Sequence, residues 1–399
     1  MNPLTLVLTL PFDRYSTIKS NLRASRQKVK MLFPHADPIP IPAPIWLMKV
    51  LSLLTLALHF FAVQILIGSL IAAIYFSFKG KGSQGNAAQG AAMVVSRRLP
   101  IVMTYVINLG VPPLLFAQVL YGRALYTSSV LIAVQWIGVV FLVMGCYWLL
   151  YRMSDLSMKG RPIHWHGIGA LLLAAFVGHI YSANMTLMLR PEVWQQMYAN
   201  TATGLQQAPH DPTADPRLLY VLMGGFLVGG LWLVLHSKVK SVSEEVGAVL
   251  KSTGALMAII GGGGELLTGY MAYSAQPANV LAGLHTPLYQ ISSAVWGVGF
   301  LLALLASVLL FVQKTSGVLM TIVGSLGAFL GIAGSVIVRD GIRDVTLLGK
   351  GFNVWDRREA SNWFVIILFV LLFVAGLVAI GWLLSVMKSA KPIPEQVNS

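Results

Sequence analysis

Cysteine is almost missing from this 399-residue chain: Cys146 is the only one. That excludes an intrachain disulfide, a cysteine-built zinc or iron–sulfur site, and covalent haem attachment through a CxxCH motif. Charge is equally scarce, with only 11% of residues charged against 56% hydrophobic. A soluble domain carries roughly 25% charged residues, so this chain has too little polar surface to cover a water-facing exterior. Acids are the scarcer sign, 14 against 28 Lys and Arg, for a net charge of +14. The excess sits in short loops, without the interleaved aromatics or basic helix of a nucleic-acid face. Attraction of those loops to anionic lipid headgroups accounts for it, and no nucleic-acid partner is expected.

What is abundant is apolar sequence in long blocks, with a mean hydropathy of +0.73. The blocks run about 20 to 30 residues, the length that crosses roughly 30 Å of hydrocarbon as a helix. Lipid offers the backbone no partners, so such blocks should be helical. Ten-residue alternation, the mark of a membrane barrel, is not visible. The pattern predicts an all-α, polytopic integral membrane protein with about nine spans, near 46–76, 99–121, 128–151, 165–189, 217–236, 249–273, 288–313, 316–337 and 362–387. No internal repeat stands out, which weighs against folds built from duplicated halves. The membrane domain, 46–387, is preceded by a basic, Pro-rich arm, 1–45, and followed by a polar tail, 388–399. The apolar stretch Leu4 to Phe12 is too short to span and lacks a small-residue cleavage site, so the arm reads as interfacial.

Loop charges set an expected orientation. The loops 77–98, 152–164, 237–248 and 314–315, with Lys251 and the tail, hold 13 Lys or Arg. The alternate loops hold only Arg123, Arg190 and Arg217. The positive-inside rule then puts the C-terminus in the cytoplasm and the N-terminus outside. Two segments oppose this count: the basic arm, and the loop predicted at 338–361 with its five basic residues. That loop also carries Asp340, Asp344, Asp356 and Glu359, and so reads as an ordered, charge-paired segment.

Polar residues inside spans are costly and therefore informative. They are His59, Gln64, Asn108, Gln118, Gln135, His179, Asn184 and Glu265. With alternating spans, His59 lies roughly 20 Å, His179 roughly 15 Å and Glu265 roughly 12 Å from the outer end of its own helix. Glu265 is the only acid within a predicted span and follows Gly261 to Gly264. A lone carboxylate in hydrocarbon must be protonated or paired, which makes Glu265 the candidate catalytic or proton-carrying group. For each histidine the plain alternative is an interhelical hydrogen bond worth about 0.6 kcal/mol. Gly324, Gly327, Gly331 and Gly334 share one helix face, and predict close helix approach. His35, His164, His166, His210, His236 and His285 fall at span ends or in loops and are expected to be solvated.

The order of these motifs resembles the main subunit of the cytochrome bd quinol oxidases. The first span, from Leu58-His59-Phe60-Phe61 to Gly68, is similar to that family's first span, in which a histidine ligates the oxygen-site haem. Ile107-Asn108-Leu109-Gly110-Val111, running to Gln118 and Tyr121-Gly122, resembles its second span. Pro287-Leu288-Tyr289 with Gly299-Phe300-Leu301-Leu302 resembles its seventh. The resemblance implies a bd-like bundle in a bacterial plasma membrane. It implies one b-type haem, with His59 as iron ligand and His179 as candidate second ligand. It departs from the family elsewhere: the positions of the other haem ligands fall on Tyr220, Val295 and Ile332, and the family's acid in the second span falls on Gln118. The family's long quinol loop shrinks to 274–287. Electrons would then enter from an outer-face partner such as a separate c-type cytochrome, beside other membrane subunits. Two alternatives stand: a haem-free anchor or scaffold of a respiratory complex, and a proton-coupled transporter or channel using Glu265.

Overall fold

A computed structural model describes residues 33–34, 40–80, 85–312 and 317–389. Most of the basic arm, the 314–315 loop and nearly all of the tail therefore lie outside the described residues. Among the described residues, nine helical segments are long and apolar enough to cross a membrane. The chain is an all-α, polytopic membrane protein.

The spans are α1 (Ile45–Lys79), α3 (Leu99–Leu131), α4 (Ala133–Met158), α5 (His164–Leu187), α7 (Ala214–His236), α8 (Glu244–Ser274), α10 (Pro287–Val312), α11 (Val318–Gly349) and α12 (Trp363–Ser389). Three shorter helices occupy stretches expected to be loops: α2 (Gly85–Ser96), α6 (Pro191–Asn200) and α9 (Ala278–Gly283). Pro191 opens α6 where its missing N–H costs nothing, and Glu192 follows in the first turn, favoured by the helix dipole.

Two boundaries differ most from the sequence reading. The expected loop at 122–127 is helical, because α3 continues to Leu131 through a kink at Tyr121 (φ −119°, ψ 18°). The loop expected from 338 is likewise helical as far as Gly349. Asp340 and Asp344 pair with Lys49 of α1, and Asp340 also faces Arg343, so the helix outlasts the apolar run. One more expectation fails: His164 is buried, with Nδ1 3.2 Å from the Ser77 hydroxyl, because the 159–163 turn folds against α1.

Close helix approach sets the interior. A Cβ on Gly68 of α1 would lie 1.9 Å from the Gly225 carbonyl of α7, so here the two backbones touch. The glycine face of α11 meets α10 in the same way, a Cβ on Gly299 falling 2.4 Å from the Gly331 amide. Small residues of this kind let helices pack by van der Waals contact where lipid removes the hydrophobic drive. By contrast, no residue in the most apolar stretch of α12 is buried. Its first turns join the bundle, Phe369 meeting Phe116 edge-on at 5.7 Å.

Residues 40–45 cross the end of the bundle and are fixed by the segment after α11. Ile41 donates to the Arg358 carbonyl at 2.8 Å, and Ala360 donates back to Ile41 at 2.8 Å. The Glu359 carboxylate accepts the Ile45 amide at 3.0 Å, which satisfies one of the orphan donors that open α1.

Candidate functional site

His59 sits partly buried on α1 with its ring turned to α3. Its Nδ1 lies 3.0 Å from the Val106 carbonyl. A carbonyl only accepts, so Nδ1 carries the proton and Nε2 keeps its lone pair. Gly110 makes room for the ring, since a Cβ there would stand 2.8 Å from Cε1. His179 is exposed on α5, stacked 6.4 Å from Phe176. The hydrogen-bond partner and the glycine wall of His59 both belong to α3.

Glu265 is fully buried where α1, α7, α8 and α10 meet. Its Oε1 accepts from Gln64 Nε2 at 3.2 Å, across α1 and α8. Gly224 of α7 forms the floor, a Cβ there reaching Gln64 Nε2 at 2.0 Å and Glu265 Oε1 at 2.2 Å. Among the described residues, Glu265 Oε2 and Gln64 Oε1 are buried without a hydrogen-bond partner. The Tyr220 hydroxyl is the neighbouring polar group, and it accepts from Trp296 Nε1 at 3.3 Å. No basic side chain is among these partners. The remaining intramembrane polar groups are dispersed. Asn184 is buried and donates to Ser129 at 2.9 Å, Gln135 bonds the Gln206 carbonyl at 3.0 Å, and Asn108 is exposed. Gln118 lines a cavity of about 240 Å³ with Ser129 and Trp136.

A second polar centre was not visible in the sequence, and it is the most heavily charged part of the bundle. Lys49, near the start of α1, has its ammonium 2.7 Å from Asp340 and 2.5 Å from Asp344 of α11. It also donates to the Tyr121 hydroxyl at 2.6 Å. That hydroxyl donates to Asp344 at 2.7 Å and to Asp340 at 3.1 Å. Arg343 stands 3.7 Å from Asp340 and lies over the Tyr121 ring, 4.7 Å from its centroid. The kink in α3 falls at the residue that delivers this hydroxyl. The mixed signs of 338–361 hinted at pairing, but Lys49 resembled any lysine reaching for the membrane surface.

The chemistry of the donors decides what each centre could hold. Among the described residues no three His, Cys, Asp or Glu side chains converge on a metal position. For haem, which needs one or two axial donors, His59 qualifies: backbone hydrogen bonding at Nδ1 is the usual way to orient a ligating imidazole. The positions the resemblance gives to the other two haems do not qualify: Val295 and Ile332 carry no donor, and Tyr220 is taken into aromatic packing. Tyr220, Trp296 and Phe300 pack together with ring centroids 6.2–6.3 Å apart, and Ile332 is buried beside them. No protein-family model and no curated protein matches the chain, so its functional reading rests on these residues.

Proposed function

We propose that this protein is a membrane subunit of a cytochrome bd-like respiratory electron-transfer complex, with a single b-type haem on His59. The observation that carries the reading is the His59–Val106 hydrogen bond, which frees Nε2 for iron. A haem bound there supplies one-electron redox chemistry. The chain's own residues orient the imidazole from α3 and leave room for it at Gly110. His179, exposed on α5, is not needed as a second ligand in this reading. The loop charges support an N-terminus outside, and the bd-like resemblance implies a bacterial plasma membrane setting. With no long quinol loop between α8 and α10, a separate c-type cytochrome on the outer face is the donor this reading favours. The nearly uncovered α12 is where other membrane subunits would add. The test is a reduced-minus-oxidised absorption spectrum of the purified protein. The Soret difference band should vanish in His59→Ala and persist in His179→Ala. A protein purified without haem from haem-replete cells would sink the reading.

One observation favours a second reading, a haem-free anchor of a respiratory complex. The aromatic packing of Tyr220, Trp296 and Phe300 fills with side chains the place where the resemblance would put another haem, and in this reading the same replacement extends to the whole bundle. Co-purification of partner subunits with a haem-free chain would select it.

A further inference from the structure

The charged centre leaves one cation over. Arg339 of α11 precedes Asp340 and rests its guanidinium 5.7 Å from the centroid of Phe60, the residue that follows His59. Among the described residues no hydrogen bond or ion pair to Arg339 is formed. Asp340 and Asp344 are engaged by Lys49 and Tyr121, and Asp340 also faces Arg343. The charged and titratable groups that act on Arg339 are Arg343, Arg217, Asp340 and the Tyr121 phenol, two cations against one carboxylate. Arg217, at the start of α7, is itself held by the Thr213 carbonyl at 2.9 Å and the Thr186 hydroxyl at 2.6 Å. A guanidinium has five N–H donors in a fork matched to carboxylate and phosphate. Held against an aromatic face with like charges beside it and no acceptor, it is short of one anion.

We infer that Arg339, flanked by Arg343 and Arg217, binds the oxyanion of a membrane-embedded ligand between α1, α7 and α11. The group is a carboxylate or a phosphate, and two sources offer it. One is a side-chain carboxylate of a haem on His59, an assignment that rests on the proposed function. The other is the headgroup of an anionic phospholipid, which does not. Arg339 lies 21 residues along α11 from Val318, about 32 Å. That length is close to the roughly 30 Å thickness of the hydrocarbon.

The test compares Arg339→Gln and Arg339→Lys with wild type and with Arg358→Gln, whose exposed arginine lies outside the cluster. If the oxyanion belongs to haem, Arg339→Gln lowers the haem midpoint potential, because a cation favouring the reduced state is gone. If it belongs to lipid, native mass spectrometry of delipidated protein given phosphatidylglycerol shows binding about tenfold weaker in Arg339→Gln, close to 1.4 kcal/mol. Arg339→Lys, which keeps the charge but loses the fork, falls between, and diacylglycerol, lacking a phosphate, binds no variant differently. A haem-free protein removes the first arm and leaves the second intact. An unchanged potential together with equal phospholipid binding in wild type, Arg339→Gln and Arg358→Gln overturns the inference. Should Arg339→Gln not fold, Arg339→Lys decides the lipid arm by binding phosphatidylglycerol more weakly than wild type, and Arg339→Met, which also removes the charge, decides the haem arm by a lowered potential.

Discussion

Replacing Lys49 by Met should destabilise the bundle far more than loss of a surface ion pair. The side chains concerned are only 7%, 14% and 15% exposed for Lys49, Asp340 and Asp344, so the surface figure of about 0.2–1 kcal/mol does not apply. Methionine matches the lysine stem in volume but removes the one ammonium that contacts both carboxylates. Arg343 is too distant at 3.7 Å, and already serves Asp340 alone. Tyr121 has a single hydroxyl proton to share between two anions. Breaking one partner of a buried pair costs about 3–5 kcal/mol, because the other charge is stranded. Thermal unfolding of the purified protein in one detergent would measure this, with Lys49→Met/Asp344→Asn as the paired variant. Most of the loss should return in the double variant, since one stranded charge is then gone, a coupling a double-mutant cycle isolates. A loss below about 1 kcal/mol, or no recovery in the double variant, would show that the ammonium is solvated and the cluster not a structural unit.

Other perturbations have expected outcomes of their own. Gly68→Ala must move its Cβ at least 1.1 Å, from 1.9 to 3.0 Å, against the Gly225 backbone. It should cost about 1–3 kcal/mol or more, whereas Gly138→Ala, with nothing within 4 Å, should melt like wild type. Glu265→Gln should retain the fold, while Glu265→Leu leaves Gln64 unsatisfied at a cost of about 1–3 kcal/mol. If Glu265 carries protons, both abolish redox- or substrate-linked proton uptake in proteoliposomes; uptake at the wild-type rate in Glu265→Gln would exclude that role. In the loop before α7, burial raises the Asp211 pKa, but bonds from Thr213 and the charges of Arg217 and Arg190 outweigh it, so the net shift is downward. A depressed carboxyl stabilises above its unfolded pKa and loses that contribution as pH falls through the folded value. Protection of the Thr213 amide in hydrogen exchange should therefore fade on the acid side of the ordinary aspartate range, and Asp211→Asn should abolish that pH dependence.

The spans were legible because hydropathy over twenty residues needs no tertiary information. The glycine face of α11 was equally legible, since 3.6-residue periodicity already places Gly324, Gly327, Gly331 and Gly334 together, and they do meet α10 and α7. What could not be read were contacts made by residues that break local expectation. Tyr121 interrupts helical geometry inside α3, and Lys49 takes its two acids from about 290 positions away. Charges that would end a span when read alone extend one when paired, as Asp340 and Asp344 do. The Glu265–Gln64 bond joins two residues that the sequence marked as costly, though nothing in it said they were neighbours. For His59 the sequence marked the residue, and only the position of Val106 fixes which ring nitrogen is available.

The carboxylate that accepts the Ile45 amide has a consequence in time. Glu359 follows Ile45 by 314 residues, which at roughly 5–20 residues per second is about 16–60 s of synthesis. Through that interval the first span is in place while its opening turn waits for its partner, and eight spans must be inserted before the two segments can pair. Closure of this end of the bundle is thus a late event in biogenesis. A ribosome arrested before codon 359 should leave residues 40–45 accessible to protease, and one released beyond α12 should not.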